Sequence, residues 1–433
     1  MRPLRLLVSS LAMFAAVSLS HAAEVALPPF YAALANVSPD KPLGTVVAQE
    51  AVATSIPGAE AWRIAYVSSD VMEKKTLSTA LVIAPKGAPP AAGRPILAWA
   101  HGTTGTAQNC GPSQVEDPAQ DLNLYYMIGG TSWTDFGVPA ATEFIAKGYV
   151  LVATDYQGLG GGGGKHQYAV AATQARDIIN SVRAIGALGL SGEAKKAVAY
   201  GWSQGGGAVL AAASLGNYIK ATGTASDGVE FIGFVALAPQ EVEVLVPPGS
   251  TDPAAANKLL PELAAAFSAS INNFAHYAMT MWATAQAFPE LKLTDIFTDD
   301  GAKTLDEVFS KKCMHAGADT LTFNLGDSYK SLLKPQPDNA AAWVQRLIDG
   351  STAPDQPVAP VMIYFGDKDV TNDPVMGKLY QERRCAKGAN VGRVQLPGEQ
   401  NHFTTPAASQ PLYVPWVEDL FAGKPAANGC PAN

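Results

Sequence analysis

Cysteine is scarce in this chain. Cys110, Cys313, Cys385 and Cys430 are far apart and form no C-x-x-C pair, which argues against zinc-ribbon and thioredoxin-like chemistry. There is no run of Lys and Arg and the formal net charge is −8, so nucleic acid is not the expected partner. There is no internal repeat, and low complexity is confined to Gly160–Gly164. Long apolar runs are also missing, apart from Leu6–Leu19, which is short for a membrane span of about 20 residues. Arg2 and Arg5 precede that run and Ser20-His21-Ala22-Ala23 follows it, the order of a secretory signal peptide cleaved after Ala22. The expected mature chain is therefore exported, to a periplasm or to the medium, with no transmembrane segment. In an oxidising compartment four cysteines favour two disulfides, and three pairings are open.

What is present reads as an α/β fold. "GTVVAQEAVA" from Gly44, "WRIAYVSS" from Trp62 and "LSTALVIAP" from Leu77 are rich in β-branched residues and suit an antiparallel run at one sheet edge. "PILAWAHG" from Pro95, "YVLVATDY" from Tyr149, "AVAYGWS" from Ala197, "FIGFVALAP" from Phe231 and "VMIYFGD" from Val361 are continuously apolar, as strands buried on both faces are. Helical patterns near Ala140, from Ala172 and from Gly206 alternate with them, which predicts a mostly parallel sheet. Between Pro239 and Val361 the alternation stops for about 120 residues, far beyond an ordinary crossover. This stretch reads as helical. From Ala265 onward Phe267, Ile271, Phe274, Ala278, Met281 and Trp282 recur at three- and four-residue steps. Such a face packs in a core or overhangs a pocket as a cap, and the two are compatible. The expected organisation is a signal peptide over 1–22, a core over 23–239, a helical cap insertion over 240–357 and the rest of the core over 358–433.

The chemistry centres on "GWSQGGGA", Gly201–Ala208. Gly-x-Ser-x-Gly alone is weak in a chain with 40 glycines. Here, however, it follows an apolar strand and opens a helix, the strand–turn–helix placement of a nucleophile elbow. A serine hydroxyl needs a base, and the base needs an orienting acid, in the chain order Ser, Asp/Glu, His. Of six histidines, His21 leaves with the signal, His101 and His166 precede Ser203, and His276 and His315 lie in the insertion. His402 in "GEQNHFTT" remains. Asp367 and Asp369 both end the strand before it; Asp369 is preferred because it sits deeper in the loop, whereas Asp367 can cap the turn. The backbone N–H groups of Gln204, after the nucleophile, and of Thr103, in "HGTTG", are the expected oxyanion donors. His101 then reads as a structural hydrogen-bonding residue. Gly158, Gly160 and Gly163 match G-x-G-x-x-G, with Asp177 roughly 20 residues on. That aspartate falls inside a helical pattern, so no dinucleotide or other cofactor is expected, and the glycine run reads as a flexible loop at a pocket rim.

"WAHGTTGTAQNCGPS" (Trp99–Ser113), "DYQGLGGGGGKHQY" with the helix after it, "GWSQGG", and "FGDKDV" followed by "NHF" together resemble the secretory lipase family, the yeast lipase A type. The resemblance runs from about Phe30 to Ala422. It implies an α/β-hydrolase fold with a helical cap inserted before the acid, and hydrolysis of carboxylic esters by Ser203, Asp369 and His402. It also implies the pairings Cys110–Cys313 and Cys385–Cys430. The chain departs from the yeast members at Gln204, where they carry glycine, and in its unusually glycine-rich loop. The sequence leaves open a peptidase or acyltransferase on the same fold, and a noncatalytic hydrolase-like binding protein.

Overall fold

The computed structural model describes residues 26–242 and 245–431. The expected signal segment lies outside them. A nine-stranded sheet runs β1 (Val46–Val52), β2 (Ala59–Ser69), β3 (Lys75–Pro85), β4 (Ile96–Ala100), β5 (Val150–Thr154), β6 (Lys196–Trp202), β7 (Glu230–Leu237), β8 (Val361–Phe365) and β9 (Val391–Gln395). Its spatial order is β1-β2-β3-β5-β4-β6-β7-β8-β9. The β1–β2, β2–β3 and β3–β5 pairings are antiparallel, and every pairing from β5 through β4 to β9 is parallel. β4 and β5 are buried along their whole length, as their unbroken apolar sequences require.

Helices cover both faces. Ala171–Ala187, Gln204–Ala213 and Val375–Cys385 pack through Ile178, Val182, Val209 and Tyr380 on one side. Ala141–Ala146 and Thr405–Phe421 pack through Phe144, Tyr413 and Val417 on the other. The helical pattern from Gly206 divides, because Ser214 and Leu215 separate Gln204–Ala213 from the single turn Gly216–Ile219.

The stretch between β7 and β8 is helical and is packed around Phe274, Trp282, Phe297, Phe309 and Trp343, a cluster that Tyr168 and Val170 join from outside it. The helix expected from Ala265 is in fact two. Pro253–Phe267 stops at Ser268, and Ser270 starts Ile271–Ala287, its hydroxyl accepting from Asn273 N at 3.2 Å. No helix among the described residues is long and apolar enough to cross a membrane.

Candidate active site

The order around β4 sets the site's position. β5 lies on one side of it and β6 on the other, so the chain reverses direction across the sheet there, and a crevice forms beyond the carboxyl ends of the strands. The loops after β4, β6, β8 and β9 carry Thr103, Ser203, Asp369 and His402 to that one edge.

Ser203 sits between β6 and the helix Gln204–Ala213 with φ 58° and ψ −119°. That is a strained conformation for a residue with a side chain. Its surroundings enforce it: Ser203 N donates to Leu237 O at 2.9 Å, and Ser203 O accepts from Gln240 N at 3.0 Å. The flanking glycines are there for close approach. A Cβ at Gly205 would overlap the Ala100 carbonyl, and one at Gly201 would lie 2.5 Å from Gly205 O.

His402 spans the other two groups. Its Nε2 is 2.9 Å from Ser203 Oγ and its Nδ1 2.7 Å from Asp369 Oδ2, all of them buried. With the carboxylate at Nδ1, the neutral ring carries its proton there and turns the Nε2 lone pair toward the serine hydroxyl. Asp369 is itself fixed, since Oδ1 accepts from Thr371 N and Asn372 N at 2.9 Å each. Asp367 is partly exposed beside Lys368 Nζ at 3.8 Å and is not brought to the histidine.

Two contributors lay beyond sequence reasoning. Trp202 Nε1 donates to His402 O at 3.0 Å, with its ring 5.1 Å from the imidazole. The same indole faces Gly102, where a Cβ would come within 2.6 Å of Cε3. Asn372 Nδ2 donates to Ala238 O at 2.9 Å and reaches Ser203 Oγ at 3.5 Å. Only the bulk of Trp202, next to the serine, left any signal in the sequence.

Gln204 opens its helix, so its N–H has no intrahelical acceptor. Thr103 lies in the loop after β4. His101 there is buried, with Nδ1 donating to Gly102 O at 2.6 Å, and burial pushes its pKa down. Tyr156 OH donates to His101 O at 2.9 Å. Further along this loop Cys110 is bonded to Cys313 of the insertion, with Cα atoms 5.5 Å apart. Met314 N donates to Thr104 O at 2.9 Å, and Thr106 Oγ1 to Phe309 O at 2.6 Å, beside that bond. Cys385 is bonded to Cys430, joining the end of Val375–Cys385 to the C-terminal segment.

A cavity opens beside Asn372 and Gln240, with Leu245, Leu263, Phe267 and Met281 among its apolar lining. The helix Ile271–Ala287 faces it with Asn273, His276, Tyr277, Thr280 and Met281. Phe274 and Trp282 do not line it: Phe274 packs on Tyr329 and Trp282 Nε1 donates to Asp306 Oδ1 at 2.9 Å, both inside the insertion's own core. His276 keeps Nδ1 on Asn272 O at 2.8 Å, and burial lowers its pKa to about 4. His315 packs against Tyr125, with ring centroids 4.4 Å apart.

A serine on a strained turn, a histidine between it and a carboxylate, and an adjoining apolar cavity define a hydrolase of the α/β type. The model of the alpha/beta hydrolase family matches residues 126–411, and the chain belongs to that family. It is 23% identical over 394 residues to Lipase 9 of Candida albicans, covering 85% of this chain and 75% of that protein. Among solved structures it is similar to Candida antarctica lipase A in its closed state, with a TM-score of 0.67 at 16% identity over 94% of this chain and 89% of that one. It is also similar to the rice cell wall degrading esterase LipA from Xanthomonas oryzae, with a TM-score of 0.61 at 16% identity over 88% of this chain and 100% of that one.

Proposed function

We propose that the chain is an exported serine ester hydrolase, a lipase or carboxylesterase, that cleaves acyl esters through an acyl-enzyme on Ser203. The observation that carries this reading is His402 lying 2.9 Å from Ser203 Oγ and 2.7 Å from Asp369. As Ser203 Oγ attacks the ester carbonyl carbon, its proton passes to His402 Nε2, and Asp369 stabilises the imidazolium. The negative charge that develops on the carbonyl oxygen lies between the N–H groups of Thr103 and Gln204. Collapse of the tetrahedral intermediate breaks the bond to the alcohol oxygen, which takes the proton from His402. Water then attacks the acyl-enzyme with His402 as base, releasing the carboxylic acid and restoring the serine.

The insertion serves as a cap in this reading, and the cavity under it takes the acyl chain. Burial of each methylene there is worth about 0.8 kcal/mol. The names of the similar proteins, two lipases and an esterase, support ester over amide substrates. The paired cysteines support export after removal of the segment ending at Ala22. The test is hydrolysis of p-nitrophenyl esters from acetate to palmitate, beside the matching anilides. Wild type should cleave esters with a preference for chains longer than acetate, and Ser203→Ala should lose at least three orders of magnitude in kcat while staying folded. A Ser203→Ala variant that keeps a tenth of wild-type turnover would remove the serine from the mechanism.

A further inference from the structure

We propose that the glycine-rich loop between β5 and the helix Ala171–Ala187 braces the oxyanion hole, with Tyr168 and His166 as positioning residues for Thr103 and Gln204. This rests on the assignment of Ser203, Thr103 and Gln204 made above. An oxyanion hole works only when its dipoles are already fixed where charge will develop, to within about half an ångström. Gln204 heads a helix, but Thr103 belongs to no helix or strand and must be held by what touches it.

The loop touches both residues. Thr103 Oγ1 and Tyr168 OH share a hydrogen bond at 3.0 Å, and Tyr168 OH lies 3.5 Å from Gln240 Oε1, toward which it can donate. Tyr168 is fully buried and Thr103 half-buried, so the phenol end of this contact is held inside the protein. On the other side, Gln204 Nε2 lies 3.1 Å from His166 Nε2, while His166 Nδ1 is 2.9 Å from Gln157 O. The carbonyl fixes the tautomer. Nδ1 carries the proton, and Nε2 presents a lone pair to the Gln204 amide. Burial lowers the pKa of His166 to about 3, so this acceptor is kept across the working pH range. Gln204 Oε1 has no partner among the described residues, which leaves the histidine contact to orient the side chain.

The glycines explain how one loop reaches both donors. Gln157 N donates to Asp177 Oδ2 at 2.9 Å, pinning the start of the loop to the helix behind it. At Gly158, with φ 80°, a Cβ would overlap the backbone nitrogen of His166, so the loop can fold back and set the Gln157 carbonyl under the imidazole. Gly160 and Gly161 are buried against Thr79 and the Tyr31 carbonyl with no room for a side chain. Two of the five glycines in the run expected to be a flexible rim are thus closely packed. The aspartate that mimicked a nucleotide-binding acid is the loop's anchor.

The test compares Tyr168→Phe, His166→Leu and His166→Asn in the full mature chain. Its readouts are steady-state kinetics on p-nitrophenyl butyrate and inhibition by butylboronic acid, whose tetrahedral adduct on the serine sets an oxygen between the two amides. Tyr168→Phe and His166→Leu should each lower kcat about tenfold, less than losing a donor outright, with KM nearly unchanged and boronate affinity weakened by the same factor. His166→Asn, which keeps an acceptor, should recover part of the loss. Unchanged kcat and boronate affinity in Tyr168→Phe, which removes one oxygen and leaves the fold intact, would overturn the brace while Ser203→Ala remained inactive. Turnover by Ser203→Ala would overturn instead the assignment on which the brace depends.

Discussion

The floor of the site and the helical insertion above it are held together by different forces. In the floor, Ser203, Asp369 and His402 are tied by hydrogen bonds to the backbone or side chains of neighbouring loops, and each bond fixes a direction. The insertion is held by apolar packing around Phe274, Trp282 and Trp343, which fixes a volume. The two meet at the Cys110–Cys313 bond, and at a neck where Ser351 and Thr352 donate their hydroxyls to the buried carboxylate of Glu241. Directional bonds position reacting atoms, whereas packing shapes the space around them. Changes in the floor should therefore alter rate at fixed acyl preference, and changes above it should alter preference at fixed chemistry.

The largest effect expected from this contrast is in the floor. Asp369→Asn should lower kcat by three to four orders of magnitude, because the amide cannot hold the Nδ1–H tautomer. Asp367→Asn should stay within about twofold, as a surface substitution does. Stopped assays of the two purified variants decide it, and the reverse ranking would move the acid by two residues.

The disulfides probe the junction. The pairs are 203 and 45 residues apart, for which chain entropy gives about 5 and about 4 kcal/mol. Denaturant melts should show both losses, but only Cys110→Ser with Cys313→Ser should also lower activity per folded molecule. The Cys385 and Cys430 pair joins a helix end to the chain terminus and should leave kcat unchanged.

Next come the walls of the cavity. Phe267→Ala and Met281→Ala should reduce the preference for octanoate over acetate by about fourfold to fifteenfold, as expected from one or two lost methylene contacts. Phe274→Ala and Trp282→Ala should instead cost about 3–5 kcal/mol of stability and leave that ratio alone. A changed ratio in Phe274→Ala would show that packing inside the insertion also sets the cavity.

The smallest effect concerns Asp177. Burial raises its pKa from 3.8 to about 7. Between those values the folded state holds the proton more tightly than the unfolded chain does, so this group's contribution to stability falls as pH rises through that window. Asp177→Asn cannot ionise. Its melting temperature should match wild type near pH 4 and exceed it by a few degrees at pH 8.

The sheet and the three residues brought together at its edge were legible in the sequence because each rests on a local or exclusive signal. Continuous apolar runs such as Ile96–Ala100 and Val150–Thr154 have few alternatives to buried strands, and His402 alone of the histidines follows both the serine and the aspartates. The insertion misled for a physical reason. The three- and four-residue rhythm of Phe267 and Ile271 runs straight through the break at Ser268, and only the capping hydroxyl of Ser270 marks it. A helix packed on several sides also has no single apolar face. Its richest stripe entered the insertion's core, and the mixed stripe of Asn273, His276, Tyr277 and Met281 met the cavity. Asn372, His166 and Tyr168 were invisible because their partners lie on other loops, and no spacing along the chain encodes such contacts.

The placement of the insertion has a consequence for how the protein is made. Ser203 and His402 stand 199 residues apart, with the whole helical segment between them. Ribosomes complete the elbow long before they reach the base. Until residue 402 has been added, the chain has no His402 to take the serine proton. In the proposed mechanism, acyl-ester cleavage therefore begins only once nearly the whole chain has been made.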